Sequence, residues 1–337
     1  MQVKHQKVSI ITDDGKSVEA TAPIVISASR RTDIPAFYSK WFINRLRKGY
    51  CVLYNPFNQK PSYVSFKKTR VVVFWTKNPK PLIPFLCELE DRSIHYYFQF
   101  TLNDYEKENF EPNIPKIQER IETFKQLSEK IGKEKVIWRF DPLIQTKDVG
   151  IEELLRRVEY VGNQLKGYTE KLVFSFADIE NYRKVADNLR REKIDYIDFN
   201  DRSMFQFAKA LFVLNKNWKL KLATCAESID LEQLEIEHNS CIDGELIKRI
   251  FYDDKDLLHF LTFGKTTTND TLFPSDTPEK SINLKDPNQR KYCGCTISKD
   301  IGIYNTCLHF CKYCYANSSK ELVRQNYKSH SQNNERM

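Results

Sequence analysis

Short apolar, β-branched or aromatic runs recur along the chain at 24–29 (IVISAS), 50–54 (YCVLY), 71–75 (VVVFW), 95–101 (HYYFQFT), 136–140 (VIWRF), 171–176 (KLVFSF) and 219–224 (KLKLAT), with segments of helical period between them. Runs of this length and composition suit β-strands. Seven such units at even spacing predict an α/β fold, specifically a TIM-like (β/α) barrel. An open doubly wound sheet shares the same periodicity. The clearest helix starts at Pro115, carries Ile117, Ile121, Phe124, Leu127 and Ile131 on one face, and stops at Gly132. A second spans Ile151 to Leu165 before Gly167, and others are expected near 37–47, 81–89, 181–191, 204–214 and 244–251.

Residues 1–22 read as an N-terminal extension with a strand or hairpin, 23–328 as a single barrel domain, and 329–337 as a flexible tail. Within the domain, 253–283 breaks the rhythm as a loop or insertion, and 285–318 is a cysteine-rich segment. With 41% hydrophobic residues the 337-residue chain can bury a large core, which argues against disorder. No apolar stretch is long enough to span a membrane and no apolar signal core opens the chain, so a cytoplasmic protein without a membrane partner is expected. Lys and Arg exceed Asp and Glu by 53 to 45, which suits an anionic or nucleic-acid partner without choosing between them.

In a barrel the C-terminal strand ends converge on one mouth. The strands deliver Ser27, Ser29, Arg30, Arg31 and Asp33 there, then Asn55, then Trp75, Thr76 and Lys77. Gln99, Thr101, Arg139, Asp141, Ser175, Asp178, Thr224, Cys225 and Glu227 follow. Solvent-facing strand ends are polar in any case. Arg139 and Asp141, however, sit two apart in WRFDP, on one strand face just before Pro142. GKTTTND at 264–270 lacks the upstream glycine and apolar strand of a phosphate loop.

Five of nine cysteines fall between Cys293 and Cys314, and without a secretory signal clustered thiols point to metal before disulfides. Cys307, Cys311 and Cys314 form C-x-x-x-C-x-x-C. Three thiolates can ligate three irons of a [4Fe–4S] cube, leaving one iron for an α-amino acid chelate such as S-adenosylmethionine. Structural zinc is the alternative metal, although the spacing fits paired C-x-x-C knuckles poorly.

DIGIYNTCLHFCKYCYAN, over about 20 residues, resembles the cluster loop of the radical S-adenosylmethionine superfamily, including the aromatic Tyr313 before the last cysteine. The resemblance implies that Tyr313 packs near the adenine. That loop normally follows the first barrel strand, whereas here it lies near the C-terminus, so a permuted or incomplete barrel is expected. A strand at 297–304 beside 24–29 would then be the eighth, followed by a helix at about 319–327. From ISASRRTDIPAFYSKWFINRL through NPFN, VVFWTKNP, YYFQFTLN, WRFDP, CAE and CIDGELI to YNTCLHFCKYCYAN, the chain also resembles the bacterial family called domain of unknown function 1848. The resemblance supports fold and cofactor and implies no reaction.

Cys225, Cys241, Cys293 and Cys295 then form a candidate second site, for another iron–sulfur cluster or zinc, or else buried free thiols and a turn pair. Cys51 and Cys87 read as packed thiols. The leading expectation is a radical-generating [4Fe–4S] enzyme using S-adenosyl-L-methionine to abstract hydrogen from an unknown substrate, fed by an external electron donor. Arg30, Arg139 and Asp141 are its candidate catalytic residues, while Tyr313, Lys77 and Gln99 are candidates for cofactor binding. The alternatives are a cysteine-zinc protein that binds nucleic acid, or a non-catalytic iron–sulfur electron carrier in which Cys295 or His309 completes the cluster.

Overall fold

The computed structural model describes residues 3–55, 58–177, 179, 182–266 and 281–337. An antiparallel hairpin opens the chain, with β1 at Gln6–Ile11 and β2 at Ser17–Ala22. β3 (Val25–Ala28) leads into the short α1 (Ile34–Phe37) and α2 (Ser39–Lys48). The YCVLY run forms β4 (Tyr50–Tyr54), which pairs antiparallel with β5 (Pro61–Ser65) and joins the order β1-β2-β5-β4. This corrects its expected place in the parallel sheet. The connection from Tyr54 to Pro61 is too short for the dozen or so residues of a crossover, so the local hairpin forms instead.

Eight strands make the main sheet. After β3 come β6 (Val71–Thr76), β7 (His95–Thr101) and β8 (Val136–Leu143). β9 (Gln145–Thr146) and β11 (Tyr196–Ile197) form a separate antiparallel pair. β10 (Lys171–Phe176), β12 (Lys221–Thr224), β13 (Ile236–His238) and β14 (Lys299–Asp300) complete the sheet. Its order is β13-β12-β10-β8-β7-β6-β3-β14, with every pairing parallel. The C-terminal β14 does lie beside β3, Lys299 opposite Ile26 and Asp300 opposite Ser27. Among the described residues β13 and β14 end the order and pair only with β12 and β3, respectively.

The connecting helices are α3 (Cys87–Glu90), α4 (Ile117–Ile131), α5 (Ile151–Leu165), α6 (Arg183–Arg191) and α7 (Asp201–Asn215). α4 stops at Gly132, whose φ of 99° few other residues adopt. Beyond β13 lie α8 (Gly244–Ile250), α9 (Lys255–Phe263) and, near the C-terminus, α10 (Lys320–Lys328). α9 occupies part of the expected insertion; residues 267–280 of that stretch lie outside the described residues.

Strand alternation divides the core in two. Ile26, Val72, Phe74, Phe98, Phe100, Trp138 and Phe174 pack under the crossover helices, against Ile121, Phe124 and Leu127 of α4 and Leu154 and Val158 of α5. Val25, Val71, Val73, Tyr97, Ile137 and Val173 face the other way and are covered by Ile242, Leu246, Ile247 and Phe251 together with Leu257, Phe260 and Leu261 of α9. Burial on both faces explains why these strands read as continuous apolar runs. The second face also fixes the site, because the chain after β13 must cross it. Residues 332–335 lie on α2 and β4, where Trp41 Nε1 donates to Asn334 O at 2.9 Å and Val52 N to Glu335 O at 3.0 Å. Among the described residues no helix is long and apolar enough to cross a membrane.

Candidate functional site

Continuing the second face past the apolar residues of each strand gives Ser27 on β3 and Ser29 just beyond it, Trp75 on β6, Gln99 on β7, Arg139 and Asp141 on β8, and Ser175 on β10. The register β8–β10 shifts after Phe140–Phe174, so that Phe176 pairs with Leu143. This bulge brings Ser175 alongside Asp141. The Ser175 hydroxyl donates to Asp141 Oδ1, and Arg139 Nη2 and Nε donate to Asp141 Oδ2, the latter at 3.1 Å. Arg139 Nη1 reaches Gln99 Oε1 and Cys241 Sγ, both at 3.1 Å. Burial works against the charge on Arg139, but Cys241 and Asp141 outweigh it and hold the guanidinium protonated. Asp141 likewise resists burial, because Arg139 and Ser175 push its carboxyl below the usual range.

Cys241 lies beyond β13, four places along the sheet from β7, yet its carbonyl accepts Tyr97 Oη at 2.7 Å and Gln99 Nε2 at 2.8 Å. The segment after β13 therefore folds back over the sheet centre. Cys225 comes to the same place from β12. Thr224 opposes His238 in the β12–β13 register, and Ala226 at φ 59° turns the chain immediately after it. The two sulfurs are 3.6 Å apart.

A second group surrounds Glu111. Its Oε1 accepts Lys77 Nζ at 2.6 Å, Asn103 Nδ2 at 3.2 Å and the Tyr313 hydroxyl. Lys77 Nζ also donates to Tyr313 Oη at 3.0 Å. Burial would neutralise Glu111, but Lys77 and Arg120 keep it ionised. Asn103 joins the groups, since Asp141 N donates to its Oδ1 at 2.8 Å. Thus Lys77 and Tyr313 meet, while Gln99 belongs with Arg139. His309, expected as a possible cluster ligand, is held at both ring nitrogens, Nε2 2.7 Å from Asp33 Oδ2 and Nδ1 3.1 Å from Asn113 O.

A third group sits where β14 meets β3. Asp300 accepts Ser27 Oγ at 2.7 Å, Ser29 Oγ at 3.0 Å, Arg30 N at 3.0 Å and Gly302 N at 2.9 Å. This fixes the start of the Arg30 side chain, whose guanidinium lies over Trp75 at 5.2 Å. Its Nη2 is buried and has no hydrogen-bond partner among the described residues. Burial opposes the charge, yet Cys295 and Cys241 raise the Arg30 pKa, so Arg30 and Arg139 share Cys241 as a neighbour.

The metal expectation is corrected. Among the described residues, which include all nine cysteines and all six histidines, no group of three or more His, Cys, Asp or Glu side chains could hold a metal ion. The [4Fe–4S] cluster on Cys307, Cys311 and Cys314, the second cluster or zinc on Cys225, Cys241, Cys293 and Cys295, and the S-adenosylmethionine site built on the open iron all fall with this finding. So do the radical enzyme, the zinc protein and the iron–sulfur carrier. Positive and amide donors occupy the sulfurs instead. Arg139 and Asn239 Nδ2 point at Cys241 Sγ, each at 3.1 Å, and Ile242 N points at Cys295 Sγ at 3.3 Å. A cation beside Cys241 would meet a guanidinium. In the C-terminal loop, Cys314 Sγ accepts Ala316 N at 3.3 Å, and burial pushes Cys307 up to about 12 and Cys311 well above the usual thiol range. C-x-x-x-C-x-x-C is a statement about chain spacing, and three-dimensional convergence of donors is a separate requirement.

Sequence reading missed Asn103, Glu111 and Asp300 as members of the site. Asn103 continues the inward parity of Gln99 and Thr101 and was available from alternation; Glu111 lies in a loop with no periodic signal. Asp178 lies outside the described residues. Glu227 accepts Phe176 N at 3.0 Å, and burial raises its pKa to about 8.

No curated protein and no solved structure matches the chain. The family described as domain of unknown function (DUF1848) matches residues 25–316, most of the chain, and the chain belongs to that family.

Proposed function

We propose that the protein binds a small anionic ligand, carrying a carboxylate or phosphate, at the C-terminal ends of its parallel strands. The observation that carries this reading is Arg30 Nη2, buried with no hydrogen-bond partner among the described residues. An unmet buried donor costs on the order of 1–3 kcal/mol, more when charged, and an incoming oxyanion recovers that loss. Arginine presents a planar fork matched to such groups. The neighbouring charges support the same sign. Arg139 and Lys77 are held cationic, Arg290 approaches Cys225, and Glu227 is mostly neutral at pH 7 because burial raises it to about 8. The strand ends of parallel sheets are also where α/β folds bind ligands. In this reading the sheet curls in barrel fashion around residues 241–261, as the Gln99–Cys241 bond across four strand positions suggests.

Thermal unfolding at fixed ionic strength tests the proposal. Phosphate or citrate should raise Tm above the chloride control, and Arg30→Gln should abolish the increment while leaving the chloride Tm within a few degrees. Equal Tm in all three salts for the native chain would refute it. A phosphate shift without a citrate shift, or the reverse, separates the two ligand chemistries.

A further inference from the structure

We propose that Cys225 and Cys241 form a reversible dithiol–disulfide pair that exchanges two electrons with a low-molecular-weight disulfide. The inference stands on sulfur geometry and does not depend on anion binding. Topology places the pair. β12 and β13 run parallel with Thr224 opposite His238, so the residues just beyond them, Cys225 and Asn239–Cys241, leave the sheet together. The sulfurs are in contact at 3.6 Å, and a disulfide needs them about 1.5 Å closer, a shift within reach of side-chain rotation.

Contact with Cys241 and burial hold Cys225 well above the usual thiol range, and Cys295 and burial raise Cys241, so proton loss at either sulfur relies on the donors that face it. Arg139 Nη1 and Asn239 Nδ2 donate to Cys241 Sγ, each at 3.1 Å, and Arg290 Nη2 lies 3.9 Å from Cys225 Sγ. Guanidinium and amide donors stabilise a sulfur anion, and the thiolate is the nucleophile in exchange. Burial then assigns the roles. Cys225 is partly exposed and Cys241 is buried at 6% exposure, so an incoming disulfide meets Cys225 first.

The step balances as follows. Cys225 loses its proton and attacks one sulfur of the disulfide RSSR, forming a mixed disulfide and releasing RS⁻. Cys241 loses its proton and attacks Cys225 Sγ, forming the Cys225–Cys241 bond and releasing a second RS⁻. The two protons end on the two released thiolates. Two protein thiols are oxidised, and one RSSR is reduced to two RSH. Cys295 also interacts with the Cys241 thiol and is its alternative partner, but the backbone Ile242 N–H already engages the Cys295 sulfur at 3.3 Å. Cys87 is exposed and remote in sequence, and serves as an internal control for simple glutathionylation.

The test treats the full chain with glutathione disulfide, blocks remaining thiols by alkylation, and maps each cysteine by mass spectrometry. The expected result is loss of alkylation at Cys225 and Cys241, a peptide linking the two, and full recovery after dithiothreitol. Cys225→Ser should leave Cys241 alkylatable, and Cys241→Ser should trap glutathione on Cys225. The native-chain map needs no variant to fold. Persistent alkylation of both residues, a lasting glutathione adduct on Cys225 in the native chain, or a dominant Cys241–Cys295 link would each overturn the proposal.

Discussion

Asp300 Oδ2 accepts the Ser27 hydroxyl at 2.7 Å, tying the last strand of the parallel sheet to its first across 273 residues of chain. The same carboxylate takes Ser29 Oγ and the backbone N–H groups of Arg30 and Gly302, so one side chain sets both the strand pairing and the direction in which Arg30 leaves β3.

Asp300→Ala should therefore cost about 2–3 kcal/mol in urea unfolding, because several partly buried donors lose their acceptor together. A loss under about 0.5 kcal/mol would mean that water replaces the carboxylate and that it has no organising role.

Gly302 is tied to the same junction by space. A Cβ placed there would lie 1.7 Å from Ser29 Oγ and 2.5 Å from Ser29 Cβ. Gly302→Ala should destabilise by about 1–3 kcal/mol. Ser29→Gly in the same chain should recover part of that loss, a coupling that a double-mutant cycle measures directly. Additive effects would show that the clash is relieved elsewhere.

Arg139→Ala removes one partner of a buried ion pair and leaves Asp141 with Ser175 alone. Asp141 keeps 23% of its side chain exposed, so the expected loss is about 3 kcal/mol, the low end for an enclosed pair. Arg139→Lys should recover little of it. A single ammonium cannot reach Asp141, Gln99 and Cys241 together. Full recovery in the lysine variant would show that only charge matters there.

Glu227 gives a pH signature. Burial raises its folded pKa to about 8 from an ordinary 4.5, so between those values the folded chain keeps a proton that the unfolded chain has released. Stability from this group is complete below about 4.5 and falls as pH rises towards 8. Glu227→Gln keeps an oxygen for the Phe176 N–H and should flatten that decline in denaturant midpoints between pH 5 and 8. An unchanged slope would assign the decline to other groups.

Alternation carried much of the fold. Six of the seven apolar runs entered the parallel sheet, and the residues two places beyond an apolar residue of the second face became the site: Trp75 after Val73, Arg139 after Ile137, Ser175 after Val173. β4 escaped because its run looks like the others, and only the short connection to β5 distinguishes it. The ion-pair network was half legible. Arg139 and Asp141 share a strand face, whereas Glu111 and Asp300 reach the site through loops and pairings that no local pattern encodes. Cysteine spacing misled most, because closeness in sequence at 307–314 carried no metal geometry, while two sulfurs in contact belong to residues 225 and 241, sixteen positions apart.

Calorimetric titration of the native chain and Arg30→Gln with phenyl phosphate and with benzoate tests the anion-binding account most directly. The account predicts saturable heat with at least one of them for the native chain, at one site per chain, and at least a tenfold weaker affinity in the variant. No saturable heat with either anion, or equal affinity in the two proteins, would contradict it.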